Sequence, residues 1–149
     1  MSQSWPVGNH LLAALPPEAY EQLVPDLQPV TFSLGEVIYE SGGSLGYVYF
    51  PTTSLVSLLY TMANGSTAEM GLTGNDGVVG IALFLGGDTT PNRAVVQIAG
   101  DGFRRSSRGV VRFNSCCCAI LRHSLRRSRR QLSAIDFTPW RSASAAGCC

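Results

Sequence analysis

Arg93 is the residue of this 149-residue chain whose type and setting most clearly suggest chemistry, because it is the only arginine or lysine among the first 101 residues. It stands between a loop containing Gly86, Gly87 and Pro91 and the apolar run Ala94 to Val96, inside the stretch GVVGIALFLGGDTTPNRAVV that opens at Gly77. A guanidinium on a backbone fixed by a strand, beside amides freed by glycines, suits a phosphate or carboxylate, since its planar fork donates two parallel hydrogen bonds. A plainer role fits the same spacing: an ion pair with Asp88 or Glu69 that closes the loop.

The other reactive side chains point away from catalysis. A metal site would need clustered histidines and carboxylates, yet the only histidines are His10, ahead of the first predicted helix, and His123, far downstream. A serine or cysteine nucleophile would lack a base within the β-rich region. The spacings Glu36 to Glu40 and Glu69 to Asp76 mark no carboxylate pair and fit a solvated surface. The chain is therefore not expected to be an enzyme, and no cofactor or metal is expected.

Charge divides the chain sharply. Residues 1–101 carry one arginine against nine Asp and Glu, a net charge of −8, whereas residues 102–149 carry ten arginines against Asp136, a net charge of +9. All five cysteines, Cys116 to Cys118 with Cys148 and Cys149, fall in the second part, so the first has no disulfide framework. No basic head followed by an apolar core opens the sequence, and no run of about 18 apolar residues could span a bilayer. A cytoplasmic location without membrane contact is the expectation.

The elements that must position Arg93 follow from periodicity. Asn9 can cap a short helix through Leu15, Pro16 ends it, Pro17 opens a second helix with Tyr20, Leu23 and Val24 on its apolar stripe, and Pro25 stops that one. From Leu27 the pattern changes to short β-rich runs, predicted at Gln28 to Phe32, Glu36 to Tyr39, Tyr47 to Phe50, Leu55 to Met62, Thr67 to Leu72, Val78 to Ile81 and Arg93 to Ala99, with a weaker one at Gly102 to Arg104. Asn64-Gly65 predicts a two-residue hairpin turn with positive φ at both positions. Many short strands at this spacing, without βαβ alternation, predict an antiparallel sandwich, jelly roll or barrel.

The stretch from Leu34 to Gly100 resembles the sensory domain of the Crp/Fnr family of bacterial transcription regulators, within the wider cyclic-nucleotide-binding superfamily. The likeness runs from about Asn9 to Asp101 and rests on Gly35-Glu36 opening a strand, Tyr39-Glu40 before a glycine turn, the run Val48 to Pro51, and Arg93-Ala94 closing the loop. It implies a mainly β fold, an antiparallel jelly roll with short N-terminal helices, followed in the family by a dimerisation helix and a winged helix-turn-helix. The implied organisation is N-terminal helices over 1–26, a cyclic-nucleotide-binding-like jelly roll over 27–104 and an Arg/Ser/Cys-rich tail over 105–149. In the superfamily a Gly-Glu-Leu element supplies a carboxylate for the ribose hydroxyl, and an arginine about ten residues later pairs with the cyclic phosphate. The positions that align here are Gly80, Ile81 and Ala82 with Arg93 and Ala94, so Ile81 replaces the glutamate and the loop is longer. A ribose hydroxyl buried without its acceptor costs on the order of 1 to 3 kcal/mol. With Ile81 in place of the glutamate, a different small anion, or no ligand, is expected at least as much as cyclic AMP.

The tail departs from the family where its long helix should begin. It is rich in Arg and Ser, holds the Cys116 to Cys118 triplet and shows no sustained helical stripe. A basic arm for nucleic acid would explain the arginines by phosphate attraction, whereas three consecutive cysteines cannot easily converge on one tetrahedral ion. A third reading is translation out of frame, since residues 118–149 can be encoded so that the shifted phase gives a string with a helical apolar pattern. On that reading the chain is a sensory domain truncated before its helix-turn-helix, monomeric where the family is dimeric and unable to recognise a specific DNA site. The alternative is a stand-alone jelly-roll module for a small anion or a protein partner.

Overall fold

The computed structural model describes residues 8–85 and 87–106. The expectations for the tail from residue 107 onward lie outside them.

Two antiparallel sheets form from seven strands, β1 (Gln28–Phe32), β2 (Val37–Tyr39), β3 (Tyr47–Pro51), β4 (Leu55–Thr61), β5 (Thr67–Thr73), β6 (Asn92–Ile98) and β7 (Gly100–Ser106). One sheet has the order β1-β7-β3 and the other β2-β6-β4-β5. The chain thus adopts the mainly β, jelly-roll-like sandwich that its spacing predicts. β7, foreseen only as a weak run, is the central strand of its sheet. It pairs Phe103 with both Pro29 and Phe50, and it carries Arg105, the first residue assigned to the tail, opposite Val48. Its Gly102 is indispensable sterically, since a Cβ there would lie 2.8 Å from the Phe50 carbonyl oxygen and 2.9 Å from the Phe32 ring.

Two short helices, α1 (His10–Ala13) and α2 (Pro17–Leu23), precede the sheets. α1 ends two residues before the predicted Leu15. Pro25 does not stop the second helical segment outright but lies within a 3-10 turn over Val24–Asp26, where its missing N–H is not needed. Leu11, Leu12, Leu15, Ala19, Tyr20 and Leu23 bury their side chains with Val48 and Phe50 of β3. Each fully buried side chain of this kind contributes roughly 1.5 to 3 kcal/mol. A second cluster of Val56, Val79 and Ala94 lies against Tyr49 and Leu58 and joins the two sheets.

Two local expectations are corrected. The run Val78 to Ile81 is not a strand: Val79 makes a single bridge to Tyr49, and the chain then turns into a 3-10 helix over Ile81–Leu85. The β4–β5 turn is longer than two residues. Met62 N–H donates to Ser66 at 2.8 Å and Gly65 N–H to Met62 at 2.9 Å, which makes a three-residue loop over Ala63, Asn64 and Gly65. Only Gly65 has positive φ, at 82°, because a type I turn followed by one left-handed residue leaves Asn64 unstrained. Asn64 instead accepts from the Ser66 amide and hydroxyl.

Asn9 fastens the helices to the sheets. Its side chain is fully buried; Oδ1 accepts from the amides of Leu11 and Leu12 at 3.0 and 3.1 Å, and Nδ2 donates to the carbonyls of Pro51 at 2.7 Å and Gly77 at 3.1 Å. Asn9→Ala would remove the cap and orphan two carbonyls, so urea denaturation should show a loss of about 3 kcal/mol. A loss below about 1 kcal/mol would show that water replaces the amide without penalty.

Candidate functional site

The segment from Val79 to Ala94 is placed by a glycine. Gly80 has φ of 90° and a Cβ there would sit 3.0 Å from the Tyr47 carbonyl oxygen, so the close approach to β3 and the backbone turn both require its bare Cα. The chain leaves its bridge to Tyr49 at Val79 and enters the 3-10 helix, where Leu83 N–H donates to Gly80 at 3.1 Å and Gly87 N–H closes on Ala82 at 2.9 Å. Ile81 and Ala82 are half-buried and pack against the helix cluster. Neither donates its backbone N–H to a backbone carbonyl among the described residues, as expected for the open first turn of a helix.

Arg93 and Ala94 follow on β6. Ala94 is fully buried with Val56 and Val79, so its extended neighbour Arg93 faces the opposite side of the sheet. There its Nε lies 3.1 Å from Glu40 Oε2, with side chains 40% and 63% exposed. The contact is an ion pair without hydrogen-bond alignment, since Nε has no hydrogen-bond acceptor. Glu40, and neither Asp88 nor Glu69, is thus its partner. Glu69 instead accepts from the Ser57 hydroxyl at 2.6 Å.

The turn after β2 holds the loop before Arg93 in place. Ser41 Oγ donates to the Pro91 carbonyl at 2.7 Å, Gly42 N–H to Thr90 at 2.8 Å and Leu45 N–H to Asp88 at 2.7 Å. Tyr39 Oη donates to Asn92 Oδ1 at 3.3 Å, and Thr90 Oγ1 donates to the same oxygen at 2.6 Å. Burial pushes the Tyr39 hydroxyl up to about 12. Sequence reasoning missed Glu40, Ser41 and Asn92 as a unit with Arg93. The one available signal was Tyr39-Glu40 ahead of a glycine turn, and nothing local reveals a partner about fifty residues away.

Elsewhere, a cleft lined by Pro25, Asp26, Gln28, Arg105 and Ser106 holds a buried arginine whose NH2 group donates to Asp26 at 2.8 Å. It lies apart from the Gly80–Ala94 segment and serves to tie β7 to the turn after α2. Among the described residues no group of three His, Cys, Asp or Glu could hold a metal ion. No described helix is long and apolar enough to cross a membrane.

Solved structures share this architecture at low sequence identity. The N-terminal domain of a transcriptional regulator from Streptomyces coelicolor superposes with a TM-score of 0.62 at 21% identity, covering 87% of this chain and 94% of that one. The sensor domain of the transcriptional regulator DNR from Pseudomonas aeruginosa gives 0.61 at 17% identity, covering 86% and 89%. A regulatory subunit of a cAMP-independent protein kinase A from Trypanosoma cruzi, bound to guanosine, gives 0.68 at 20%, covering 98% of this chain but 50% of that one. No family model matches the chain, and no curated protein does. The fold is therefore that of the cyclic-nucleotide-binding β-sandwich, a class these regulatory proteins share.

Removal of the Tyr39 hydroxyl provides a check on this geometry. The unfolded phenol titrates near 10 and the folded one near 12. The unfolded state therefore binds fewer protons between these values, and stability should fall as pH rises from 10 to 12, by on the order of 2 kcal/mol. Chemical denaturation across that window should show the slope in the wild type and its reduction in Tyr39→Phe.

Proposed function

We propose that the chain is the sensory domain of a Crp/Fnr-type transcription regulator and takes a small anionic ligand at Arg93. The observation that supports this reading most strongly is the likeness across 94% of the N-terminal domain of one transcriptional regulator and 89% of the sensor domain of another. Arg93 supplies the charge, and the open amides of Ile81 and Ala82 stand at the start of the preceding 3-10 helix.

Cyclic AMP is a poor candidate for that ligand. Ile81 provides no carboxylate for a ribose and is engaged with the helix cluster. Glu40 also pairs with the charge of Arg93. An exposed pair of this kind is worth only about 0 to 1 kcal/mol, so an anion able to engage the guanidinium with two parallel bonds can displace it. Binding would then free Glu40 and bear on the turn at Ser41 and Gly42 that holds the loop.

DNA recognition does not belong to the described residues. Their helices are four and seven residues long, and Arg93, Arg104 and Arg105 against nine Asp and Glu give them a net charge of −6, which repels a phosphate backbone. Calorimetry with inorganic phosphate, cyclic AMP, cyclic GMP and AMP tests the ligand proposal. At least one of these should bind, Arg93→Ala should weaken it about tenfold or more, and Glu40→Gln should strengthen it several-fold. If Arg93→Ala leaves every affinity unchanged, Arg93 is not the anion's partner.

A further inference from the structure

Arg104 differs from the two other described arginines. Arg93 faces Glu40 and Arg105 faces Asp26, whereas no carboxylate lies within ion-pair distance of Arg104 among the described residues. Its Nε is buried and has no hydrogen-bond acceptor. A charged donor left unsatisfied away from water is costly, by more than the 1 to 3 kcal/mol of a neutral one. Such a group calls for a ligand-based or structural explanation.

The surroundings of Arg104 favour a ligand. On β7 it pairs in register with Tyr49 of β3 and Gln28 of β1. Tyr47 and Tyr49, two residues apart on an extended strand, share the face that Arg104 occupies. The guanidinium carbon lies 4.6 Å from the Tyr47 ring centroid. Tyr47 and Tyr49 stand 6.2 Å apart, and Phe32 meets Tyr49 edge-on at 5.8 Å. Tyr49 packs against the Val56, Val79 and Ala94 cluster, so this face looks toward the opposite sheet. It grades from Phe32, fully buried, to Tyr47 and Arg104, which are half-exposed. Burial pushes the Tyr49 hydroxyl up and Arg104 draws it down, while Tyr47 and the Glu36 carboxylate push it up further. Glu36 itself accepts from the Ser33 amide at 2.8 Å.

We propose that Arg104, Tyr47 and Tyr49 form a binding subsite for a planar aromatic acid, separate from the anion site at Arg93. Its ring extends the stack that the guanidinium makes on Tyr47, and its acidic group takes the terminal N–H groups of Arg104. An arginine plane accepts a ring on one face while its edge donates to an oxyanion, a combination that lysine cannot reproduce. Specificity follows from the pair: the charge alone would suit any anion, and the aromatic face selects a flat one.

The test uses the full chain and benzoate as the probe, followed by saturation-transfer NMR and calorimetry. Benzoate should bind the wild type and bind about tenfold more weakly to Arg104→Gln and to Tyr47→Leu. Benzyl alcohol, flat but uncharged, should not compete. Arg104→Lys, which retains the charge and is the safer variant for folding, should also lose affinity because the planar fork is gone. A wild type that does not bind benzoate overturns the proposal, as does affinity that survives Arg104→Lys or Arg104→Gln in protein shown folded by circular dichroism. Loss of benzoate in Arg93→Ala with retention in Arg104→Gln would place the acid at Arg93 and equally overturn it.

Discussion

The amide of Asn9 is the contact on which the rest of this structure hangs. A fully buried side chain with one acceptor atom and one donor atom places all four of its hydrogen bonds on backbone, two inside α1 and two on segments far away in sequence. One of those segments is the end of β3 at Pro51, and the other is the turn at Gly77. That turn delivers Val79 to its bridge with Tyr49, and the bridge delivers Gly80 to the left-handed conformation that opens the 3-10 helix. The position of Ile81 and Ala82 is therefore set by an asparagine some seventy residues earlier, as well as by local propensity. His10 reinforces it, its N–H donating to Asn75 at 2.7 Å.

Electrostatics then distributes the few cations. All nine acidic residues among the described positions are exposed, and no lysine balances them. Arg105 is almost fully buried and is matched by Asp26, which fixes the centre of one sheet to the turn after α2. A buried charge of this kind constrains the fold more than it stabilises it, because desolvation offsets most of the attraction. Arg93 is half-exposed and weakly matched, so its pairing with Glu40 can be exchanged. Arg104 is matched by an aromatic face instead of a carboxylate. The same residue type thus serves a structural, an exchangeable and a stacked role within one small domain.

The strands that alternate polar and apolar side chains were legible in the sequence, because a period of two leaves a trace in a single line of residues. Gln28–Phe32 was placed to the residue, and β3 to β6 to within one or two residues at either end. The run from Val78 was not legible. Val78, Val79, Ile81, Ala82 and Leu83 are apolar without a period, because Val79 points into the inter-sheet cluster while Ile81, Ala82 and Leu83 pack toward the helices. The reversal happens at Gly80, whose positive φ no propensity at its neighbours announces. Arg93 stands out in the sequence by its isolation in an acidic segment. Its partner was not found, since Asp88 and Glu69 were nearer in sequence and Glu40 reaches it only through the register of β2 on β6.

The same register explains why Ile81 is more than a missing carboxylate. Ile81 and Ala82 lean on the cluster formed by α1, α2 and β3, and Leu83 is buried within it. A glutamate at this position would have to leave that apolar contact for its carboxylate to reach water or a ligand, since an unpaired charge is not held in such surroundings. With isoleucine at this position the 3-10 helix stays docked on that apolar face. The segment leading to Arg93 is in this sense positioned from behind, by the apolar face that the N-terminal helices present to it.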